Sequence, residues 1–282
     1  IVSPEIDLTA REDSELAERL EKFKKSLSDE QIKALVKETA ELKAYQEEPS
    51  AKEDLEKIPL LTRADMKQEA PRFSNEECKM AGVPVVHHDI HTNGIYYIDL
   101  LFGLNHLSEE DLPYLGILKA VLGYMNTEHY SYSELANEIN LATGGISSTL
   151  NLFVDAADEH KWDARFEICV KVLDSQLPRA MELVSEILCS TELSDRKRLH
   201  EILSQVKSRL EMSMTTSGHA VSAVRAMSYF SPSGAFSDAV GGIGLYRLVA
   251  EIERDFDAHA AALQKRLATL IRQIFVRDAL LV

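Results

Sequence analysis

No apolar run in these 282 residues approaches the roughly 20 that a helix needs to cross a bilayer. Basic side chains are in deficit: Lys and Arg number 31 against 46 Asp and Glu, a formal net charge of −15. A phosphate backbone requires a basic footprint, and an anionic lipid surface attracts the same charges. Nucleic acid and membrane surfaces are therefore disfavoured as partners. An acidic wall would draw in basic peptides, although a solvated surface that favours solubility explains the same number. Cysteine is almost missing. Cys78, Cys169 and Cys189 stand far apart with no C-x-x-C among them, which excludes a zinc ribbon and a redox pair. Cys169 (EICVKVL) and Cys189 (EILCSTEL) lie in apolar contexts, so both are expected as buried free thiols of a reducing compartment. No signal peptide is visible, which points to the cytoplasm. The first residue is Ile1 rather than Met, and 279–282 (ALLV) read as a strand cut short. Both ends are those expected of a piece of a longer protein, from which an organelle-targeting segment could have been lost.

What is present is ordinary in bulk, 45% hydrophobic and 27% charged, and long enough for one large domain with an appendage. Residues 12–47 predict a helical hairpin. Leu16, Leu20, Phe23 and Leu27 form one stripe and Ile32, Leu35, Val36, Thr39 and Leu42 a second. Between them Ser28-Asp29-Glu30-Gln31 fits a capping box. Residues 47–59 read as a linker, and Thr62 as the cap of a short helix. The predicted division is 1–70, a helical hairpin linker, and 71–282, an α+β domain. In the second part 83–90 and 95–104 read as strands joined through Asn93-Gly94, a hairpin-turn signal. The run IYYIDLLFGL (95–104) is apolar on both alternating faces except at Asp99, which predicts a strand covered on both sides. Helical spacing follows at 112–125 and 131–141, then strands at 146–155 and 165–173. Helices are expected at 175–190, 195–216, 218–230 and 242–275, the last broken near Asp257. This order predicts helices packed on an antiparallel-rich sheet.

Few residues suggest chemistry. His87, Asp89 and His91 would share one face of a strand, and they are respectable zinc ligands. A closed site needs a fourth ligand that the sequence does not place, so imidazoles exposed beside a turn are the simpler reading. Gly144-Gly145-Ile146-Ser147-Ser148 lacks the G-x-S-x-G order and the Lys of a phosphate loop. Gly241-Gly242-Ile243-Gly244 follows no strand and reads as a helix break where backbones pack closely. Ser217-Gly218-His219 has no assignable acid partner. Trp162, Tyr96 and Tyr97 would serve either a peptide-binding surface or the core.

Three segments carry a resemblance. Residues 27–66 (LSDEQIKALVKETAELKAYQEEPSAKEDLEKIPLLTRADM) resemble the helical linker between the halves of the presequence protease branch of insulinase/pitrilysin zinc metallopeptidases. Residues 92–97 through 144–147 resemble the opening of the third of its four homologous domains. Residues 217–247 (SGHAVSAVRAMSYFSPSGAFSDAVGGIGLYR) resemble a segment of the same branch. The resemblance implies a metallopeptidase domain of the LuxS/MPP-like kind, within an enzyme of two bowl-like halves that degrades unfolded peptides in a closed chamber. It implies zinc in the first domain, bound by H-x-x-E-H. The nine histidines here (His87, His88, His91, His106, His129, His160, His200, His219 and His259) form no such frame. The corresponding helix, 112–125, presents Leu118-Lys119-Ala120-Val121-Leu122 instead. No catalytic or metal residue is therefore carried over to this chain, and its substrate-binding residues are left unassigned. The expected partners are the remaining domains of the parent protein and a peptide in the chamber. The alternative is a free-standing inactive homologue that acts as a binding or assembly subunit.

Overall fold

Ser28 starts the second of two long helices by the reciprocal bonding its sequence predicts. Its Oγ accepts from the Gln31 N–H at 3.3 Å, and its own N–H donates to Gln31 Oε1 at 2.9 Å. The computed structural model describes residues 7–66, 69, 74–158 and 161–282, in two compact units, Ile1–Pro71 and Arg72–Val282. The expected boundary at 70/71 lies outside the described residues. The first unit holds α1 (Leu8–Ser26), α2 (Asp29–Glu47) and a single turn, α3 (Lys52–Leu55), inside the stretch read as a linker. No residue of these helices is buried, and Leu20 and Phe23 are each 57% exposed. Thr62 donates from N and Oγ1 to the Asp65 carboxylate, both at 2.8 Å, opening a 3-10 turn over Arg63–Asp65. These two bonds hold the Asp65 carboxyl below its usual range.

The second unit begins with a hairpin that the sequence did not announce. β1 (Glu76–Met80) pairs antiparallel with β2 (Val83–His87) around Ala81-Gly82, both at positive φ (51° and 85°), as a type I′ turn requires. Asn93-Gly94 adopts the same backbone, φ 53° and 78°. It leads into β3 (Ile95–Gly103) without pairing β2 to β3. The second sheet instead runs β4 (Gly145–Val154), β5 (Trp162–Leu173), β3, β6 (Leu280–Leu281), all neighbours antiparallel. Val282 ties the hairpin to it. Its N–H donates to Pro84 O at 3.1 Å, and its carbonyl accepts from the Val86 N–H at 2.7 Å. β2 thus spends its outer edge on the chain end rather than on β3.

Helices cover one face of the large sheet: α4 (Leu112–Val121), α5 (Tyr132–Ala142), α6 (Leu177–Cys189), α7 (Arg196–Thr216), α8 (Gly218–Met227), α9 (Pro232–Gly241), α10 (Ile243–Arg254) and α11 (Phe256–Ile274). The break after α10 falls at Asp255, whose side chain caps α11 through the Ala258 N–H. Even-numbered residues of β5 face the helices. Phe166, Ile168, Val170 and Val172 are at most 2% exposed. Phe102 and Phe166 meet Phe275 edge-on, with ring centroids 5.0 and 5.3 Å apart. The opposite face is polar and open, which corrects the expectation of cover on both sides of β3. Asp99 is exposed and Tyr97 is 59% exposed. Their neighbours on β5 and β4, Glu167, Lys171, Thr149 and Asn151, extend the same polar surface. Cys189 and Cys78 are exposed, contrary to the burial read from the apolar context of Cys189.

Candidate functional site

The histidines at the end of β2 do not make a site. His87 ends the strand facing Glu76, Nδ1 to carboxylate 3.8 Å. His91 lies past it, 2.7 Å from the Asn93 side chain, because the strand stops before Asp89. Strand alternation, the premise of their convergence, has ended by then. Among the described residues the one group of three possible ligands within 4.8 Å of one another is Asp99, Glu167 and Cys169. It contains no imidazole, the nitrogen donor characteristic of hydrolytic zinc centres. Trp162, Tyr96 and Tyr97 are 42%, 45% and 59% exposed, so none is core. Alternation turns Tyr96 and Tyr97 to opposite faces, so they form no common surface.

The Asp99 group is built by register. Cys169 stands opposite Asp99 on β3 and Ser147 on β4. Glu167 accepts from Thr149 Oγ1 at 2.7 Å and from the Asn151 amide. Burial raises the Cys169 thiol first, and the Glu167 and Asp99 carboxylates add to it, from an ordinary 9.0 to about 12. The thiolate is the reactive form. Cys169 should therefore react with a maleimide at least about tenfold more slowly than an ordinary thiol at pH 8, and gain rate as the pH rises. Exposed Cys78 and Cys189 provide the internal comparison in a mass-spectrometric time course. Labelling of Cys169 as fast as Cys78 would contradict this electrostatic picture.

The joint at 217–247 is a structural centre. Asp238 is 4% exposed. Its carboxylate accepts from Arg225 at 2.7 Å and from the Ile243 and Gly244 N–H groups at 3.1 and 3.2 Å. It thereby neutralises Arg225 and caps the start of α10, where unpaired N–H groups favour an anion. Two of the glycines follow from this packing. A Cβ on Gly242 would stand 2.8 Å from Asp238 Oδ1, and one on Gly244 2.9 Å from the Asp238 carbonyl.

A cavity of about 620 Å³ lies between α4, α5, α6, α7, β4 and β5. Its floor is apolar: Ile168, Val184, Ile187, Ile202 and Val206 are all buried. Its polar wall is of one sign. Lys119, Arg198 and Arg209 line it with Asn140, Ser148 and Gln205, and no acidic residue does. Arg198 is already engaged, donating to the Tyr124 carbonyl at 3.0 Å and to Glu201 at 3.2 Å and standing 4.1 Å from the centre of the Tyr132 ring. Lys119 is half-buried, and among the described residues it and Arg209 lack a carboxylate partner. Burial, then repulsion from Arg209, pulls the Lys119 ammonium below its ordinary range. The sequence carried a faint signal of this site, since Lys119 is the single charge in LPYLGILKAV. It held no signal of the partners that converge on it from five other elements.

Residues 2–252 match the family described as Peptidase M 16C associated, and the chain belongs to that family. Protein HypA of Clostridium perfringens is 35% identical over 252 residues, 89% of this chain and 26% of that protein. Presequence protease 1, chloroplastic/mitochondrial, of Arabidopsis thaliana is 27% identical over 288 residues, 100% of this chain and 26% of its own. The mitochondrial presequence protease of Xenopus laevis is 25% identical over 277 residues, 98% and 26%. The chain thus spans about a quarter of the length of the curated relatives it matches. Among the described residues no helix is long and apolar enough to cross a membrane.

Proposed function

We propose that this chain is a non-catalytic segment of a longer zinc metalloendopeptidase that degrades unfolded peptides. The observation that carries the reading is the match of almost the whole chain to a stretch of about a quarter of proteins named presequence proteases. In this reading Arg72–Val282 is a domain of the LuxS/MPP-like kind that contributes chamber wall. Its open sheet face, with Tyr97, Asp99, Lys171, Thr149 and Asn151, supports that role because an uncovered polar sheet face suits contact with a solvated, extended substrate. Ile1–Pro71 is the linker between the two halves. Its apolar side chains, exposed in this chain, are the surface expected of a segment that meets other domains. Zinc and its activated water belong to the parent protein outside this chain. α4 presents Leu118-Lys119-Ala120-Val121-Leu122 and offers no ligand there.

The test is a peptidase assay on the pure 282-residue chain supplied with zinc, together with metal analysis after dialysis. The expected result is no cleavage of unfolded peptides and no stoichiometric zinc. Chelator-sensitive cleavage would overturn the assignment.

A further inference from the structure

We propose that the cavity beneath α4 binds the C-terminal end of a peptide whose last residues are apolar, with the terminal carboxylate held between Lys119 and Arg209. This inference stands on the cavity alone and does not require the chain to be part of a peptidase.

The first argument is charge. In a chain with 46 acidic residues, the walls of this cavity carry three cations and no acid. A half-buried ammonium with no partner is costly, and an anion placed beside it offsets that cost. The second argument is shape. A volume of about 620 Å³ falls among those of sites that enclose a small ligand. Walls from six elements suit the end of a chain better than a chain passing through. The third argument separates a peptide from other apolar carboxylates. Asn140, Ser148 and Gln205 supply amide and hydroxyl groups beside an aliphatic floor. A peptide end uses both, since its amides need partners when desolvated. A fatty acid would leave those polar groups unmatched.

Calorimetric titration of the 282-residue chain tests this with three probes: N-acetyl-Ala-Leu-Leu as the free acid, the same peptide as its C-terminal amide, and dodecanoate. The free acid should bind at one site, and the amide at least about tenfold more weakly, as expected for loss of a charge-assisted contact. Lys119→Gln should weaken the free acid by a similar factor and leave the amide unchanged. Arg209→Gln, at an exposed position, provides the second variant should Lys119→Gln fail to show a cooperative melt. Equal binding of acid and amide overturns the proposal, as does no binding of either peptide. Binding of dodecanoate alone also overturns it and assigns the cavity to a fatty acid.

Discussion

Asp238→Ala should destabilise the second unit by about 2–3 kcal/mol, a sizeable fraction of the stability of an ordinary domain. The substitution removes the acceptor of three bonds at once. It strands Arg225, whose guanidinium now donates to Asp238 at 2.7 Å, and it uncaps the Ile243 and Gly244 N–H groups at the start of α10. With the side chain only 5% exposed, water cannot take over that role in place. Asp238→Asn keeps an acceptor for the backbone and loses the charge, so it should cost less than Asp238→Ala. A double-mutant cycle with Arg225→Met isolates the ion pair, and a coupling near zero would show that capping alone holds this joint. Urea unfolding followed by circular dichroism measures all four variants.

Gly116→Ala should cost about 2–3 kcal/mol, although helix propensity alone would raise stability by about 1 kcal/mol. The added Cβ would lie 2.4 Å from the Val240 carbonyl and 2.8 Å from a methyl of Leu245. Neither can withdraw freely: Val240 O is backbone of α9, and Leu245 is 4% exposed in α10. α4 would have to lift from both helices, loosening the wall of the cavity as well. Gly241→Ala is the matched control, since nothing stands within 4 Å of its added Cβ. It should be neutral or slightly stabilising in the same unfolding experiment. Equal effects at 116 and 241 would refute the account of close backbone approach.

These two predictions mark where the sequence was legible. Apolar spacing and caps act locally, so α1, α2 and α5 could be read from apolar spacing and, for α2, from Ser28. Glycine crowding at Gly242 and Gly244 was readable as close packing, but its cause was not. Asp238, on α9, meets Arg225 of α8 across one helix break and the first N–H groups of α10 across the next. Pairing partners were the weakest inference. Asn93-Gly94 forms the tight turn its residues favour, yet β2 pairs with β1 and Val282, because turn chemistry fixes a local bend and not which edges meet. The same limit hid the candidate sites. Asp99 and Cys169 become neighbours through strand register, and Lys119 and Arg209 through the packing of α4 on α7. The open sheet face was missed for a different reason. Tyr97 and Leu101 make β3 look apolar on both sides, and its polarity is supplied across the sheet by β4 and β5.

The mass of the native polypeptide, read with an antibody against this chain in its source cell, tests the central claim most directly. A segment spanning 26% of its relatives predicts a band about four times 31.6 kDa. A band near 31.6 kDa would contradict it. That result would make the chain a free-standing inactive homologue with a partner still to be found.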